Sequence, residues 1–295
     1  MDIRFLHPLR SLACVAALLG ASFVPATAQD GPKLYVFTSG SLGGFPKAAL
    51  QMGGQGNIDW APVSFYVIKH PKGNVMFDCG NNDKTITDAD GWWGPLAKGF
   101  GLKMTKDDAI PVQLAKIGLK VDDIKYLVVG HLHLDHGGNV GQFKNSTLIA
   151  QDDEFKAAWW PDVGFSVYYI PGDFAETKNM KTIRLKGDFD LFNDGSIRIV
   201  RAPGHTPGHT AFVVGSGKEL LMVLSDTTNM PALFAKHPNW HGVIDADPVL
   251  AETTRRRLFD RAVSDKALVT GYHFPFPAVG TIVPDGTGYT FVPSA

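Results

Sequence analysis

Cysteine is scarce in this chain of 295 residues, which contains two. Cys14 lies in an apolar N-terminal segment, so Cys79 is the single cysteine of the remainder. One cysteine cannot form an internal disulfide, and stability must come from a packed core and from any bound metal. Cys79 also lacks an evident partner base in the sequence, so we do not expect it to act as a nucleophile.

An excess of charge of either sign is also missing. Lys and Arg total 28 against 29 Asp and Glu, and the formal net charge is −1. This balance offers no basic surface, so we expect no nucleic-acid partner. With 44% apolar and 19% charged residues, the composition is that of an ordinary globular protein with a sizeable core.

No apolar run has the length of a typical membrane span. The run SLACVAALLGASFV is about 14 residues long, which is short for a bilayer. It follows Arg4 and Arg10 and precedes ATA and Gln29, which is the order of a signal peptide with a small-residue cleavage site. We predict a signal peptide over 1–28 cleaved after Ala28, a periplasmic or secreted protein, and no stable membrane anchor. The alternative is an uncleaved anchor.

Residues 29–295 predict a single α/β domain. Short β-branched and aromatic runs alternate with turn signals and helical stretches, and no linker-like segment divides them. A helix is predicted over 107–119, capped by Asp107 or Asp108, and a second over 248–264. This order predicts a sandwich of two sheets with outer helices. The predicted strands cover 33–40, 62–70, 73–80, 124–129, 146–151, 196–202, 210–216, 219–225, 266–272 and 288–293.

The predicted helix over 248–264 carries three consecutive arginines, Arg255 to Arg257. Its helical spacing places Leu250, Leu258 and Val263 toward the core. The arginines are expected on the solvated face.

Histidine and aspartate are concentrated in the stretch VVGHLHLDHGGN. It contains His131, His133, Asp135 and His136 directly after an apolar run. Buried imidazoles and carboxylates without partners cost free energy, and a metal ion is the obvious compensation. At the end of an extended strand His131 and His133 share one face. The glycines that follow permit a turn that carries Asp135 and His136 to a second ion.

Three later residues supply the ligands that this motif lacks. His205 lies between glycine-rich turns, while Asp226 and His273 each follow an apolar strand, where α/β folds build their sites. Two divalent ions are predicted, zinc before iron, cobalt or manganese. We expect His209 and Asp78 to orient ligands by hydrogen bonds. The predicted sets are His131, His133 and His205 on the first ion, Asp135, His136 and His273 on the second, and Asp226 as the bridge.

These motifs resemble those of the metallo-β-lactamase superfamily. FDCG, HLHLDH, APGHTPGH, LSD and GYH follow in that family's order over nearly the whole chain after Ala28. The resemblance implies an αββα sandwich of two mixed sheets flanked by helices, with a metal site at one edge and hydrolase activity. It implies no substrate, because this fold hydrolyses many ester, amide and phosphate bonds.

Departures from known branches of the family narrow the choice. β-Lactamases with a cysteine ligand carry arginine where His136 stands, and the class that shares this histidine usually lacks a bridging aspartate where Asp226 stands. Glyoxalase II has a C-terminal helical domain, for which the residues after Asp226 leave little room. Flavodiiron proteins have glutamate at the position of His133.

Two branches remain. The chain from PVSFYVIKH to APGHTPGHTAFVV resembles the N-acyl homoserine lactone lactonases, which quench quorum sensing. The stretch GYHFPFPAVG and the exported character resemble methyl parathion hydrolase, an organophosphate triesterase. We favour the lactonase, although Asn229 stands where the better-known lactonases have a tyrosine. A non-catalytic metal-binding protein is a third hypothesis, but the predicted ligands leave coordination positions open.

The resemblance also implies a mechanism. A hydroxide formed from water between the two ions attacks the carbonyl carbon, with Asp135 and Asp226 as catalytic carboxylates and Asp226 passing the proton to the leaving group. We expect an apolar substrate pocket near Phe274, Phe276 and Asn229. The sequence leaves open the acyl-chain preference and whether the chain forms a homodimer. Further aromatic residues considered for the pocket walls are Phe45, Trp92, Trp93, Trp159 and Trp160.

Overall fold

The computed structural model describes residues 2–4, 32–215, 220–276 and 278–294. Apart from its first few residues, the predicted signal peptide lies outside these ranges. Within them, no helix combines the length and apolarity needed to cross a membrane.

The first half of the described chain contains nine strands. Seven form one sheet with six neighbouring pairs. The first three pairs along the sheet are antiparallel and the last three are parallel. The strands are β1 (Asp2–Arg4), β2 (Lys33–Leu42), β3 (Phe45–Pro46), β4 (Asn57–Ile58), β5 (Ala61–Lys69), β6 (Asn74–Phe77), β7 (Ile124–Val128), β8 (Thr147–Gln151) and β9 (Thr182–Leu185). The sheet order is β1-β2-β5-β6-β7-β8-β9, and β3 pairs separately with β4.

The second half forms a second seven-stranded sheet, in which the strands pair in chain order. Its strands are β10 (Phe189–Asp190), β11 (Ile197–Arg201), β12 (Thr210–Val214), β13 (Leu221–Val223), β14 (Leu268–Thr270), β15 (Val279–Asp285) and β16 (Gly288–Pro293). All neighbours are antiparallel except β13 and β14. Both sheets are therefore mixed, which confirms the prediction.

Several helices cover the outer faces of the two sheets. The α-helices of the described chain are α1 (Lys47–Leu50), α2 (Ala89–Trp93), α3 (Pro95–Gly99), α4 (Ile110–Ala115), α5 (Asp152–Trp159), α6 (Pro171–Phe174), α7 (Pro231–Lys236) and α8 (Pro248–Ser264). Leu114 of α4 and Phe155 of α5 pack in a cluster with the first sheet, and Leu258 of α8 packs with the second. Between the sheets, Phe77 stacks on Phe212 with ring centroids 4.7 Å apart. The layers follow the αββα order that the resemblance implies.

Strand β5 illustrates how the sequence specifies a central strand. Eight of its nine residues are buried. Tyr66 and Ile68 belong to the cluster between the sheets, whereas Phe65 and Val67 belong to the outer cluster, because side chains alternate between faces. A strand covered on both faces needs apolar residues at consecutive positions.

The helix predicted over 248–264 has those bounds as α8, and Asp247 caps it by accepting a hydrogen bond from the backbone N–H of Leu250. Its predicted orientation is wrong at two positions. Leu250 is 38% exposed and Arg255 is 1% exposed. Arg255 tolerates burial because backbone carbonyls and the ring of Phe234 surround its guanidinium.

The helix predicted over 107–119 is shorter than expected. A 3-10 turn over Lys106–Asp108 comes first, and α4 begins after Ala109. The carboxylate of Asp108 accepts hydrogen bonds from the backbone and hydroxyl of Thr105. The expected cap by an aspartate is therefore wrong for α4.

Each predicted strand overlaps an observed strand, but six observed strands were not predicted: β1, β3, β4, β9, β10 and β15. β1, β3 and β4 are only two or three residues long. β9 and β10 are short and largely half-buried, so they lack the buried apolar run on which the predictions depended. β15 contains Gly280 and Pro284, which sequence reasoning treats as strand breakers.

Polar residues follow the ends of four strands at one edge of the sandwich. Asp78 follows β6, His131 follows β7, Asp226 follows β13 and His273 follows β14. β6 runs parallel to β7, and β13 to β14, so each pair of strands ends on the same side. The two sheets thereby deliver their polar residues to a common place.

Asp173 of α6 generates a prediction about stability. Its Oδ1 accepts hydrogen bonds from Asn82 Nδ2 at 2.8 Å and Trp92 Nε1 at 2.7 Å. Its Oδ2 is buried and has no hydrogen-bond partner among the described residues. Burial raises the pKa of Asp173 from 3.8 to about 7, so between these values the folded protein binds more protons than the unfolded chain. The free energy of unfolding must therefore fall as pH rises through this window.

We expect Asp173→Asn to remove this penalty while keeping an oxygen acceptor for both donors. Above pH 8 the variant should exceed the wild type in unfolding free energy by about 2 to 4 kcal/mol, and the difference should vanish near pH 4. Urea unfolding from pH 4 to 9 measures this, with Asp90→Asn at an exposed position as the baseline. A difference that does not depend on pH would contradict the assignment.

Candidate metal centre

The histidine-rich motif lies in a tight turn after β7. The chain leaves the sheet at Val128, and the backbone N–H groups of His136 and Gly137 both donate to the carbonyl of His133. The turn thus begins at His133, earlier than the glycines at which it was predicted. The rings of His131 and His133 lie 4.6 Å apart and nearly perpendicular.

The seven predicted ligands converge in three overlapping groups. Within each group the donor atoms lie within 4.8 Å of one another. The groups are His131 with His133 and His205; His131 with His136 and Asp226; and Asp135 with His136 and His273. The first and third are the two predicted ligand sets.

Asp226 lies between these sets. Its Oδ2 is 3.5 Å from His205 Nε2, and its Oδ1 is 3.4 Å from His136 Nε2 and 3.7 Å from His273 Nε2. One carboxylate therefore faces imidazoles of both sets, which is the geometry that a bridging ligand requires.

Many of these buried donor atoms have no hydrogen-bond partner among the described residues. They are Nδ1 and Nε2 of His131, Nε2 of His133, His136 and His205, and Oδ1 of Asp226. Unpaired buried polar atoms are costly and are rare in native proteins. Five imidazoles and two carboxylates supply borderline and hard donors, a set that divalent transition metals and zinc accept. The residues present therefore fit a pair of divalent ions.

The electrostatics of the cluster also call for cations. Burial, followed by the neighbouring imidazoles, lowers the pKa of His131 and His133 well below the usual value, so these rings are neutral and keep a free lone pair. Burial opposes ionisation of Asp226, but His136 and His273 lower its pKa. Despite burial, the carboxylates of Asp226 and Asp135 raise the pKa of His136 well above its usual value. Divalent ions would replace these protons, so binding is expected to release them.

Hydrogen bonds on the far side of three imidazoles orient them. The Nδ1 atoms of His136, His205 and His273 lie 2.9 Å from Asp78 Oδ2, Asp245 Oδ1 and the carbonyl of Pro62, respectively. Each acceptor keeps the proton on Nδ1 and leaves the Nε2 lone pair for the centre. Asp78 thus occupies the supporting position that the sequence predicts.

His209 belongs to none of the three donor groups of the described residues. Its Nδ1 donates to the carbonyl of Ala202 at 3.0 Å, and its Nε2 accepts the backbone N–H of Asp226 at 3.1 Å. His209 therefore fixes the backbone that carries the central carboxylate, in keeping with the orienting role predicted for it.

An apolar cavity opens onto the centre. Asn229 lines it, and its Nδ2 donates to Asp226 Oδ2 at 2.7 Å. Phe45 also lines it, as considered from the sequence. The described residues of its wall are Leu42, Phe45, Leu50, Ala61, Phe100, His133, Leu134, Asp135, Tyr168, His205, Asp226, Asn229, Ile244 and His273.

The prediction that Phe274 and Phe276 line the pocket is wrong for this cavity, whose described lining includes neither. After His273 the chain turns back, and the backbone N–H of Phe274 donates to the carbonyl of Gly271. Phe274 is consequently buried against Phe291, with ring centroids 5.1 Å apart, while Phe276 is 43% exposed.

The other aromatic residues considered for the pocket walls lie elsewhere. Trp92 donates to Asp173, Trp93 is buried in the cluster between the sheets, and Trp159 packs edge-on against Phe174. Trp160 is 78% exposed and lines a second pocket, which reaches His133 and His205 from another side.

Sequence reasoning missed two residues that brace the motif. Tyr272 stacks on His136 with ring centroids 3.6 Å apart, and its hydroxyl donates to the carbonyl of Asp135 at 2.7 Å. Buried Glu154 accepts the backbone N–H of Leu132 at 2.8 Å and the hydroxyl of Thr206 at 2.5 Å. Tyr272 directly precedes His273, which was a usable signal, whereas Glu154 lies in a helix with no local pattern to mark it.

Cys79 has no catalytic geometry. Its thiol is buried and donates to the carbonyl of His136 at 3.3 Å. Burial raises its pKa well above the usual value, so the thiol stays protonated at neutral pH.

Comparison with known proteins identifies the family. The family model of the metallo-beta-lactamase superfamily matches residues 58–271. N-acyl homoserine lactonase AttM of Azorhizobium caulinodans is 36% identical over 186 residues, which cover 62% of this chain and 70% of the relative. AttM of Agrobacterium fabrum is 34% identical over 198 residues, covering 65% of this chain and 75% of the relative.

Solved structures share the fold. The dizinc quorum-quenching lactonase AidC superposes with a TM-score of 0.74 at 20% identity, covering 90% of this chain and 95% of AidC. An N-acyl homoserine lactone hydrolase with the product N-hexanoyl-L-homoserine bound at its catalytic metal centre has a TM-score of 0.70 at 22% identity, covering 83% and 98%. The family model and the curated relatives show that the chain belongs to the metallo-β-lactamase superfamily and is a metal-dependent hydrolase.

Proposed function

We propose that this protein is a lactonase that opens N-acyl homoserine lactones or related lactones and thereby quenches quorum sensing. Relatives named N-acyl homoserine lactonase at 34% and 36% identity support this substrate class. One observation carries the proposal: the apolar cavity opens directly onto both donor sets. An amphiphilic lactone needs this combination, because its acyl chain requires an apolar wall while its ring carbonyl must reach the metal ions.

The reaction adds water across the ring ester. The bond between the carbonyl carbon and the ring oxygen breaks, the oxygen of water joins that carbon, and the products are a carboxylate and an alcohol. Two divalent ions, which we propose to be zinc, supply Lewis acidity and an activated water when bound. Leu42, Leu50 and Ile244 of the cavity wall hold the acyl chain and exclude bulk water.

Asp226 is the residue placed to move the proton. Asn229 holds its Oδ2, and His209 holds its backbone N–H, so the carboxylate cannot rotate freely. We assign to Asp226 the transfer of the proton from the attacking water to the ring oxygen as the alcohol leaves. Asp135, braced by Tyr272, completes the second donor set.

Metal content tests the centre on which this function depends. Protein purified without chelators should contain about two zinc ions per chain. His133→Ala and His273→Ala should each contain about one, because each substitution removes one of the three ligands of one ion. We expect kcat/KM for a lactone to fall at least about 100-fold in both. Elemental analysis gives the stoichiometry, and His70→Ala, whose ring stacks on Phe192, is the control. Two ions retained in both variants would contradict the assignment.

Substrate preference separates the lactonase from its alternative, an organophosphate triesterase or arylesterase of the methyl parathion hydrolase type. Phe45, Phe100 and Tyr168 in the cavity wall also suit an aryl leaving group, so activity on both substrates is expected. For the metal-loaded wild type we expect kcat/KM for a long-chain homoserine lactone to exceed that for an aryl phosphotriester by at least about 100-fold. A preference for the phosphotriester would overturn the proposal.

We further propose that the protein is exported to the periplasm or beyond the cell after loss of residues 1–28. The basic start, apolar run and small-residue site of this segment support export. Cleavage would remove β1, which pairs with Lys33–Tyr35, and would leave β2 as the sheet edge. Mass spectrometry of the exported protein should find an N-terminus at Gln29, and Ala28→Arg should abolish this species. An intact N-terminus on protein confined to the cytoplasm would refute export.

A further inference from the structure

A buried cation, Arg255 of α8, lies near the centre and is 1% exposed. Its Nε donates to the carbonyl of Thr227 at 2.6 Å, and its Nη1 donates to the carbonyls of Pro238 and Trp240 at 2.7 and 2.8 Å. The ring of Phe234 covers one face, with its centroid 4.2 Å from Cζ. These three carbonyls form a socket that suits the planar guanidinium of arginine, whose donors lie on separate nitrogens.

This socket touches the supports of two predicted ligands. Thr227 directly follows Asp226 in the chain, so the carbonyl that Arg255 holds belongs to the turn carrying the central carboxylate. Arg255 Nη2 also lies 4.0 Å from Asp245 Oδ2, and Asp245 Oδ1 accepts from His205 Nδ1 at 2.9 Å. One guanidinium therefore contacts both the backbone of the bridge and the carboxylate that orients His205.

The charge of Arg255 balances that of Asp245. Burial lowers the pKa of Arg255 to about 10, so the guanidinium remains charged at neutral pH. Besides His205 and Arg255, Asp245 receives a backbone N–H from Gly242 at 3.3 Å. Without the cation, a buried carboxylate would lose its charge partner and its hold on His205 would weaken.

The second donor set is supported differently. His136 is held by Asp78 and His273 by the carbonyl of Pro62, and the described contacts of Arg255 include neither support. At the surface, the neighbouring Arg256 pairs with Glu252, and Arg257 donates to the carbonyl of Arg201. The support through Asp245 reaches only His205 of the first set, whereas the support through Asp226 is shared by both sets. Arg255 therefore supports the first set more than the second.

We propose that Arg255 is a positioning residue for the metal-dependent hydrolysis: through Asp245 it fixes His205, and through Thr227 it fixes the turn of Asp226. This proposal rests on the proposed function and its dinuclear centre. Arg255 does not reach the substrate cavity, whose described lining omits it. Its loss should therefore weaken the metal site of His131, His133 and His205 and lower kcat more than it changes KM.

Single-site backgrounds test this asymmetry without any substrate. His273→Ala keeps the first ligand set, and His133→Ala keeps the second. In each background we compare Arg255→Lys and Arg255→Met with the parent by Zn²⁺ competition against a chromophoric chelator. We expect zinc to bind about 10- to 100-fold more weakly in the His273→Ala background and less than about threefold more weakly in the His133→Ala background. Arg256→Lys and Arg256→Met are the matched controls and should stay within about twofold in both.

Lysine retains the charge but carries its donors on a single nitrogen, so it cannot reproduce the bonds that Arg255 makes from both Nε and Nη1. Arg255→Lys therefore decides the matter if the methionine variant does not fold. Equal weakening in the two backgrounds, or no weakening in either, would overturn the proposal. So would a failure of both variants to fold, since Arg255 would then be required by the whole domain. In the otherwise native chain, Arg255→Lys should lower kcat about tenfold with KM within about twofold, and Asp245→Asn should add little to it.

The outcome is separable from that of the proposed function. If the zinc pattern appears as expected but lactones are not hydrolysed, the substrate class is wrong and the role of Arg255 stands. If lactones are hydrolysed while the two backgrounds respond alike, the role of Arg255 is wrong and the substrate class stands. If the His273→Ala parent binds no zinc, both the centre and the positioning role fail.

Discussion

The structure depends on one constraint. Five imidazoles and two carboxylates converge in a buried space where the described residues offer them too few hydrogen-bond partners. His131 illustrates the problem, because both of its ring nitrogens are buried without a hydrogen bond among the described residues. No apolar core would tolerate such a cluster. A pair of divalent ions would remove this cost, and the free energy of metal binding would then also stabilise the folded state.

The αββα architecture makes this convergence possible. Parallel neighbours in each sheet end on the same side, and the stacked rings of Phe77 and Phe212 hold the sheets together just beneath. Around the donors lies a layer of polar supports. Asp78 and Asp245 fix which nitrogen of their histidines carries the proton, and His209 fixes the backbone of Asp226. Arg255 extends this layer to the outer helix. The centre is therefore rigid because it is held from both sheets, whereas the cavity beside it is apolar.

The sequence predicted the buried strands and the metal ligands, because both depend on local residue patterns. Buried strands are β-branched runs, and the density of His131 to His136 after such a run has few explanations other than metal. Asp245 could not be found this way, because it meets His205 across 40 residues of sequence. Arg255 was predicted to be exposed because helical periodicity sorts residues by polarity. It cannot show that backbone carbonyls from other segments surround the guanidinium. Phe274 was assigned to the pocket because sequence does not tell which way a chain turns after a ligand.

Diffraction with anomalous data collected at the zinc edge tests the central claim most directly. Crystals of protein purified without chelators should give two anomalous peaks. One should lie among His131, His133 and His205 and the other among Asp135, His136 and His273, with the carboxylate of Asp226 between them. A centre without anomalous density, its imidazoles joined instead by hydrogen bonds and water, would contradict the account.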